Sequence, residues 1–250
     1  MLAAEAAMRS GAGLVVVAVP ASLNAILEAK LTETMTIPLP DDGRGILSPI
    51  ALDALKSRLD WADAVVFGPG VGVARETAEF MDGLFKQMKT TLVLDADGLN
   101  IFAKHRSWLH PLPLNSILTP HPGEFASLSG LTTRQILADR LTLVRAWVSK
   151  SRRVMVLKGS PTVTGLPNGE IIINSTGNAG MATGGSGDVL TGLIASLIAQ
   201  GMQLHKAAWG GVWLHGRAGD LAAGKLGQRG MVAGDIVAAL PEALLKLSAD

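Results

Sequence analysis

Short apolar runs alternate with segments of helical spacing along most of the chain. The runs are rich in β-branched residues and end at glycine, proline or aspartate, whereas the segments between them repeat apolar side chains every three or four residues. This alternation is typical of an α/β three-layer sandwich, in which helices cover both faces of a mostly parallel central sheet. The runs predict strands at residues 14–19, 64–67, 91–94, 117–118 and 154–157.

The predicted elements change after the fifth strand. Residues 161–164 and 170–173 flank a Pro-Asn-Gly turn at 167–169, and this pattern predicts a β-hairpin. A glycine-rich loop at 176–187 then leads into three helices. We expect the last helix to begin with Asp235 as its N-cap, because aspartate is a favoured residue at that position.

Residues 74–88 and 133–150 have the spacing of longer helices, and residues 1–10 also predict a helix. No strand precedes this first helix, although an alternating α/β chain ordinarily supplies one. We therefore expect residues 1–250 to form a single domain that lacks its first strand.

The composition excludes several classes of function. The chain of 250 residues has 22 Lys and Arg against 21 Asp and Glu, a balance that argues against a nucleic acid partner. It contains no cysteine, so disulfides and thiolate metal sites are excluded. The longest apolar helix candidate, 189–199, is far below the roughly 20 residues that cross a bilayer, and no secretory signal is evident. We expect a cytoplasmic protein without a membrane partner.

The strongest candidate site is the sequence NAGMATGGSGD at 178–188, which runs into a buried helix. Its glycines allow the backbone to approach a ligand closely. The amides of Ser186, Gly187 and Asp188 at the helix N-terminus favour an anion such as phosphate. The Asp188 carboxylate could take a proton from an attacking hydroxyl, although a helix N-cap is the alternative interpretation. The loop matches neither a Walker loop nor a dinucleotide fingerprint.

Two further polar sequences follow strands. In TPHPGE at 119–124, prolines hold His121 in a turn from which it can donate to a ligand. A plain turn, with Glu124 interacting with the helix dipole, is the alternative. In LKGSP at 157–161, Lys158 can reach a nucleotide phosphate, and a solvated lysine is the alternative. The other four histidines lack the spacing of ligands and are expected to be structural.

Glycines and carboxylates follow the strands at 64–67 and 91–94 as well. The loop GPGVG at 68–72 could press against a flat ligand or merely join a strand to a helix. Asp95 and Asp97 could cap the next helix, which we favour, or hold Mg²⁺ through water. Ligands of open parallel sheets bind beyond the carboxyl ends of the strands, so these five sequences together indicate one ligand site.

The sequences GPGVG, LDADGLN, LTPHPGE, LKGSPTV and NAGMATGGSGDVLTG occur in the order and spacing of one family. The chain resembles the NAD(P)H-hydrate dehydratase domain, a relative of the carbohydrate kinases in the ribokinase-like superfamily. The similarity runs from SGAGLVVVAVP, at residues 10–20, to GMVAGDIVAALP near the end. It implies a ribokinase-like fold and the ADP-dependent dehydration of (S)-NADHX and NADPHX to NADH and NADPH. A nucleotide phosphorylates the 6-hydroxyl of the hydrate, and phosphate then leaves.

The resemblance also implies roles for individual residues. Asp188 resembles the base at the hydroxyl, and it contacts the hydrate together with Gly72 and His121. The anion hole is formed by Gly185, Ser186 and Gly187. The nucleotide is bound by Lys158, Gly159, Ser160, Pro161, Thr162 and Gly187. The resemblance further implies ADP or ATP as the phosphoryl donor, with ADP favoured because bacterial members of the family usually resemble ADP users. It also implies Mg²⁺ but no protein metal site, and a homotetramer.

The sequence departs from the family at its start. An upstream strand with a glycine-rich turn, and the epimerase domain that is often fused in front, are both absent from the 250 residues. A sugar or vitamin kinase of the same superfamily would use the loop and Asp188 in the same way, but HPGE argues against it. An inactive nucleotide-binding module is the third interpretation, and it would bind ADP without releasing phosphate.

Overall fold

The computed structural model describes residues 1–107 and 109–247. Its eight strands fall into a two-stranded and a six-stranded sheet. In chain order they are β1 (Val16–Pro20), β2 (Met35–Leu39), β3 (Ala64–Phe67), β4 (Thr91–Leu94), β5 (Ser116–Leu118), β6 (Val154–Leu157), β7 (Val163–Gly165) and β8 (Ile171–Ile173). Strands β3 to β8 form the larger sheet in sequential order, with β3 to β6 parallel and β7 and β8 antiparallel to their neighbours.

The α-helices lie between the strands and after them. They are α1 (Leu2–Arg9), α2 (Ala21–Glu28), α3 (Leu52–Trp61), α4 (Arg75–Gln87), α5 (Ala96–His105), α6 (Pro122–Ser129), α7 (Thr133–Ala138), α8 (Arg140–Ser151), α9 (Ser186–Ala199), α10 (Leu204–Leu226) and α11 (Ala233–Leu247). No helix of the described residues combines the length and the apolar character needed to cross a membrane.

The alternation of side chains along the sheet builds two cores. In β4, Val93 packs on one face among residues of α1, α9, α10 and α11. Leu92 and Leu94 pack on the opposite face among residues of α3 to α8. Successive residues of a strand point to opposite faces, so a fully apolar strand must be covered on both sides. The predicted three-layer α/β architecture is confirmed.

Several predicted elements agree with the structure, the strand predicted at 14–19 is found at Val16–Pro20, and two further predictions are wrong. The hairpin and the three final helices are confirmed. The single helix at 133–150 is wrong, because the chain breaks at Asp139, whose carboxylate accepts from the Thr142 amide at 3.2 Å and caps a second helix. Asp235 as N-cap is also wrong. Helix α11 begins at Ala233, and the Asp235 carboxylate accepts from the Val232 amide at 2.8 Å within the first turn.

Strands β1 and β2 pair in parallel with each other and, within the described chain, with no other strand. Strand β2 and helices α2 and α3 were not predicted from the sequence. A groove of about 340 Å³ separates this small sheet from the larger one, and residues 15–18 and 64–67 line its two sides. In the described residues β3 pairs only with β4, so both sides of the groove are strand edges. The missing first strand stays a prediction.

Candidate functional site

Three of the predicted sequences meet at the carboxyl edge of the larger sheet. Asp95 follows β4, Glu124 lies in the first turn after β5, and Lys158 follows β6. The Lys158 Nζ lies 2.6 Å from Asp95 Oδ1 and 3.7 Å from Glu124 Oε2. The Asp95 side chain is 1% exposed and that of Lys158 is 20% exposed. The interpretation of Lys158 as a solvated lysine is therefore wrong, and its charge is balanced by buried carboxylates.

The glycine-rich loop lies directly against this pair. Gly185 is the N-cap of α9 and has φ of +86°, a conformation that favours glycine. A side chain at Gly187 would begin 3.2 Å from Lys158 Nζ and 3.7 Å from Asp95 Oδ2. Glycine at 187 therefore allows the first turn of α9 to sit on the Asp95–Lys158 pair.

The first turn of α9 offers backbone donors. The Ser186 amide donates to the Thr183 carbonyl at 3.3 Å. Across the described residues, the amides of Gly187 and Asp188 have no such acceptor. Unpaired amides at a helix N-terminus, together with the helix dipole, bind anions such as phosphate.

Asp188 is the third residue of α9, so the alternative interpretation of it as the N-cap is wrong. Burial raises the pKa of the Asp188 carboxyl above its usual value, and the negative charge of Asp95 raises it further. A carboxylate with a raised pKa is a better proton acceptor than an exposed one. These features suit Asp188 to the role of a general base, and that role stays a prediction.

His121 is fixed by the helix that it begins. Its Nδ1 accepts from the amides of Gly123, at 3.0 Å, and Glu124, at 3.2 Å, while the Glu124 carboxylate accepts from the His121 amide at 2.7 Å. This capping box leaves Nδ1 unprotonated, which places the proton of the neutral ring on Nε2. The ring remains largely exposed. The structural and the ligand-donor interpretations of His121 are thus compatible.

The two aspartates after β4 do not cap helix α5, so the capping that we favoured is wrong. Asp95 occupies the N-cap position, but its side chain accepts no amide of the helix. Asp97 Oδ2 instead accepts from the Gly72 amide at 2.9 Å and so connects the GPGVG loop to the site. Ala96 between them has φ of +46°, an unfavourable value for a residue with a side chain. This positive φ therefore lies between two aspartates whose carboxylates contact other loops of the site and not the amides of α5.

The loop after β6 has its own internal contacts. The Lys158 amide donates to the Pro120 carbonyl at 2.8 Å, and Thr162 Oγ1 donates to the Gly159 carbonyl at 3.0 Å. Among the described residues, no hydrogen bond joins this part of the loop, residues 160–162, to the carboxylates of Asp95, Glu124 or Asp188. The role of residues 160–162 in nucleotide binding stays a prediction, as do those of Gly72 and His121 in substrate binding.

Two residues of this region were not assigned to the site from the sequence. Thr191 Oγ1 donates to Asp95 Oδ2 at 2.9 Å, and Asp220 accepts from the Gly177 amide and from Asn178 Nδ2, both at 3.0 Å. Thr191 could have been found, since it lies three residues after Asp188 and shares its helix face. The sequence did not single out Asp220, because it lies in the middle of α10 and in none of the five sequences that follow strands.

His215, expected to be structural, lies behind the glycine-rich loop. Its Nε2 is 3.4 Å from Ser186 Oγ, and the residue is buried. Burial lowers the pKa of the His215 imidazole from 6.5 to about 4. The ring is therefore neutral at physiological pH and supports the loop by contact rather than by charge.

Comparison with known proteins identifies the family of the chain. The family model described as NAD(P)H-hydrate dehydratase matches residues 1–242. The bifunctional NAD(P)H-hydrate repair enzyme Nnr of Moorella thermoacetica is 46% identical over 98% of this chain and 46% of its own length. The ADP-dependent (S)-NAD(P)H-hydrate dehydratase of Neisseria meningitidis is 43% identical over 75% of this chain and 64% of its own length. The chain thus spans about half to two thirds of these curated relatives.

A solved structure gives the same result for the fold. The ADP/ATP-dependent NAD(P)H-hydrate dehydratase of Bacillus subtilis, co-crystallised with ATP and Mg²⁺, superposes with a TM-score of 0.81 at 27% identity. The match covers 98% of this chain and 85% of that one. The ribokinase-like fold class is confirmed. With the family model matching almost from end to end, the chain belongs to the NAD(P)H-hydrate dehydratase family.

Proposed function

We propose that this chain catalyses the ADP-dependent dehydration of (S)-NADHX and NADPHX to NADH and NADPH, and so acts as a hydro-lyase in nicotinamide nucleotide repair. The observation that carries the proposal is the first turn of α9, where Asp188 and two unpaired amides stand together above the Asp95–Lys158 pair. The family and the names of the relatives support the same activity.

In the proposed reaction, Asp188 takes the proton of the 6-hydroxyl as that oxygen attacks the terminal phosphorus of ADP. The products of this step are AMP and the phosphorylated hydrate. Phosphate then leaves C6 while a proton is lost from the adjacent carbon, which restores the dihydropyridine ring. Phosphorylation converts hydroxide, a poor leaving group, into a good one. Phosphoryl transfer depends mostly on positioning and charge stabilisation, which helix-end amides can supply.

The proposal assigns a role to each remaining residue. Gly185, Ser186 and Gly187 form the anion hole at the transferred phosphoryl group. Gly72 and His121 contact the hydrate. The nucleotide is held by the loop that begins at Lys158 and continues through Gly159, Ser160, Pro161 and Thr162, together with Gly187. This assignment follows the family resemblance. It is supported by the positions of Gly72, His121 and Lys158 in loops that follow strands of the larger sheet.

Mg²⁺ enters the proposal with the nucleotide. Within residues 1–107 and 109–247, no three His, Asp or Glu side chains are grouped so that they could hold a metal ion. Both Asp95 oxygens are already occupied by Lys158 and Thr191. Mg²⁺ commonly keeps several waters and is bound largely through substrate phosphates, where it neutralises charge.

The test is recovery of reduced-nicotinamide absorbance from purified (S)-NADHX or NADPHX with ADP, with ATP and without nucleotide. We expect recovery that requires nucleotide and is faster with ADP. Recovery with neither substrate, while ADP still raises the melting temperature through binding, would favour the inactive nucleotide-binding module. Phosphorylation of a sugar or vitamin alcohol instead would favour the kinase.

Two further proposals concern the setting of the enzyme. We propose a homotetramer that acts in the cytoplasm, on the strength of the family resemblance. Analytical ultracentrifugation of the purified chain checks the first, and fractionation of cells that express it checks the second.

A further inference from the structure

A buried hydrogen-bonded chain of residues connects the end of β4 to the inside of α9. Asp95 accepts from Lys158 Nζ through Oδ1 and from Thr191 Oγ1 through Oδ2, at 2.6 and 2.9 Å. Thr191 Oγ1 also lies 2.9 Å from the Gly187 carbonyl, one turn earlier in α9. The Asp95 carboxylate thus contacts an element on each side of the site with a different oxygen.

Asp95 lies at the N-cap position of α5, where its side chain would be expected to cap the helix. An aspartate at a helix N-cap normally accepts from an amide of the first turn, which contributes about 1 kcal/mol to stability. Asp95 makes no such bond with α5. Its side chain is turned toward Lys158 and α9 instead, and it is buried without access to water. A buried carboxylate is tolerated only when its charge is paired and its oxygens are hydrogen-bonded, as both are here.

We propose that Asp95 is a positioning residue of this site, whose buried carboxylate holds Lys158 and the first turn of α9 in fixed relation beneath the phosphate loop. A Cβ at position 187 would lie only 3.2 Å from Lys158 Nζ, so the first turn of α9 packs closely on that ammonium group and displacement of the group would disturb the turn. Without Asp95, the carboxylate that Lys158 retains among the described residues is the more distant Glu124, at 3.7 Å. The catalytic consequence rests on the proposed function, whereas the geometric role does not.

Asp95 also contributes charge to its surroundings. The charged groups that face Asp188 are Asp95 and Asp97 from the end of β4, Lys158 from the end of β6, and the amino group of Met1. Burial is the largest cause of the raised pKa of Asp188, and Asp95 is the second. Removal of the Asp95 charge should therefore lower the pKa of Asp188. A role confined to packing would leave that pKa in place.

The first experiment compares Asp95→Asn and Thr191→Val with the wild-type chain in kcat, in its pH profile and in ADP binding. We expect Asp95→Asn to lower kcat roughly 10–100-fold, the range found when a group that orients a functional residue is removed. The acid limb of its pH profile should move to lower pH. Thr191→Val keeps both charges, so we expect a smaller loss of kcat and an unmoved acid limb.

The matched control is Asp82→Asn. Asp82 is an ion-paired aspartate of α4 with a side chain 15% exposed, and it is bound to Lys86 and His110. This variant makes the same chemical change and should leave kcat and the pH profile unaltered. A wild-type kcat and acid limb in Asp95→Asn, or an equal loss in Asp82→Asn, would overturn the proposal.

The carboxyl carbon resonance of Asp188 provides a readout that does not need turnover. Its titration is followed by NMR in the wild-type chain, in Asp95→Asn and in Thr191→Val. A lower pKa in Asp95→Asn, but not in Thr191→Val, supports the proposal even if the wild-type chain fails to dehydrate the hydrate. An unchanged pKa in Asp95→Asn contradicts it, whatever the outcome for the proposed function.

Discussion

Strands β1 and β4 have similar sequences but different surroundings. Both are short apolar runs, and a helix begins within two residues of the end of each. In β4, Leu92, Val93 and Leu94 have no accessible surface, because neighbouring strands pair on both sides and helices cover both faces. In β1, residues 16–18 are only partly buried, and the described chain pairs this strand on one side alone. Apolar composition therefore predicts a strand, whereas burial depends on what surrounds it.

The two regions also differ in their buried charges. The carboxyl edge of β4 to β6 holds buried charges at fixed distances, and such charges require a rigid surrounding. The region of β1 and β2 contains no comparable buried charge pair among the described residues, and a groove lies beside it. We therefore expect substitutions at the carboxyl edge and in the core of the larger sheet to reduce activity and stability more than substitutions near β1 and β2.

The largest expected effect is that of Asp188→Asn. The amide cannot accept the hydroxyl proton, so we expect kcat to fall roughly 10²–10⁴-fold, the usual contribution of a general base. Binding of ADP, measured by its effect on the melting temperature, should persist. A variant with wild-type kcat would show that another group acts as the base.

The next largest effect concerns stability within the sheet. Leu94→Ala removes a fully buried side chain, and we expect the free energy of unfolding to fall by about 2–5 kcal/mol. Leu14→Ala, at a side chain 61% exposed before β1, should change it by less than about 0.5 kcal/mol. Denaturant unfolding of both variants measures the difference. Equal losses would mean that the region of β1 is packed as tightly as the larger sheet.

A third prediction concerns acid stability. The pKa of His215 is about 4 in the folded chain, because of burial, and near 6.5 when exposed. The unfolded chain therefore binds more protons between these values, so stability is full above pH 6.5 and is lost as the pH falls toward 4. The loss should reach about 3 kcal/mol. His215→Gln should flatten this dependence in denaturant titrations, whereas His205→Gln, at an exposed position of the same helix, should not.

The smallest effect is one of local protection. We expect the amides of β3 that face the groove to exchange with solvent on the order of tenfold faster than those of β5, which is paired on both sides. Hydrogen exchange resolved along the chain measures this difference. Equal protection in β3 and β5 would mean that the groove is closed in solution.

Much of the larger sheet could be predicted from the sequence. The bounds of β3, β4 and β6 agree with the structure, because each is a run that is apolar on both faces and ends at a glycine, an aspartate or a lysine. Strand β2 was missed because it is partly exposed and contains Pro38, so it lacks that pattern. The break at Asp139 was missed because the helical spacing continues on both sides of it.

The site was predicted in outline but not in its contacts. Sequences at strand ends indicated one edge, because parallel strands place their carboxyl ends together. The pairing of Asp95 with Lys158 could not be predicted, since 63 residues separate them and each has a plausible local use as a cap or a surface charge. The local preferences of aspartate for helix N-caps and of lysine for the surface favoured those roles. In the structure the buried ion pair between the two residues replaces both roles.

The groove between β1 and β3 also affects how the chain behaves in concentrated solution. Open strand edges are templates for pairing between molecules, and natural proteins protect them with charged side chains. Arg58 and Asp63 are exposed and border this groove. Contact between two grooves would require these charges to lose water, which opposes adhesion. Replacement of both by neutral residues would make this face the first place where molecules aggregate.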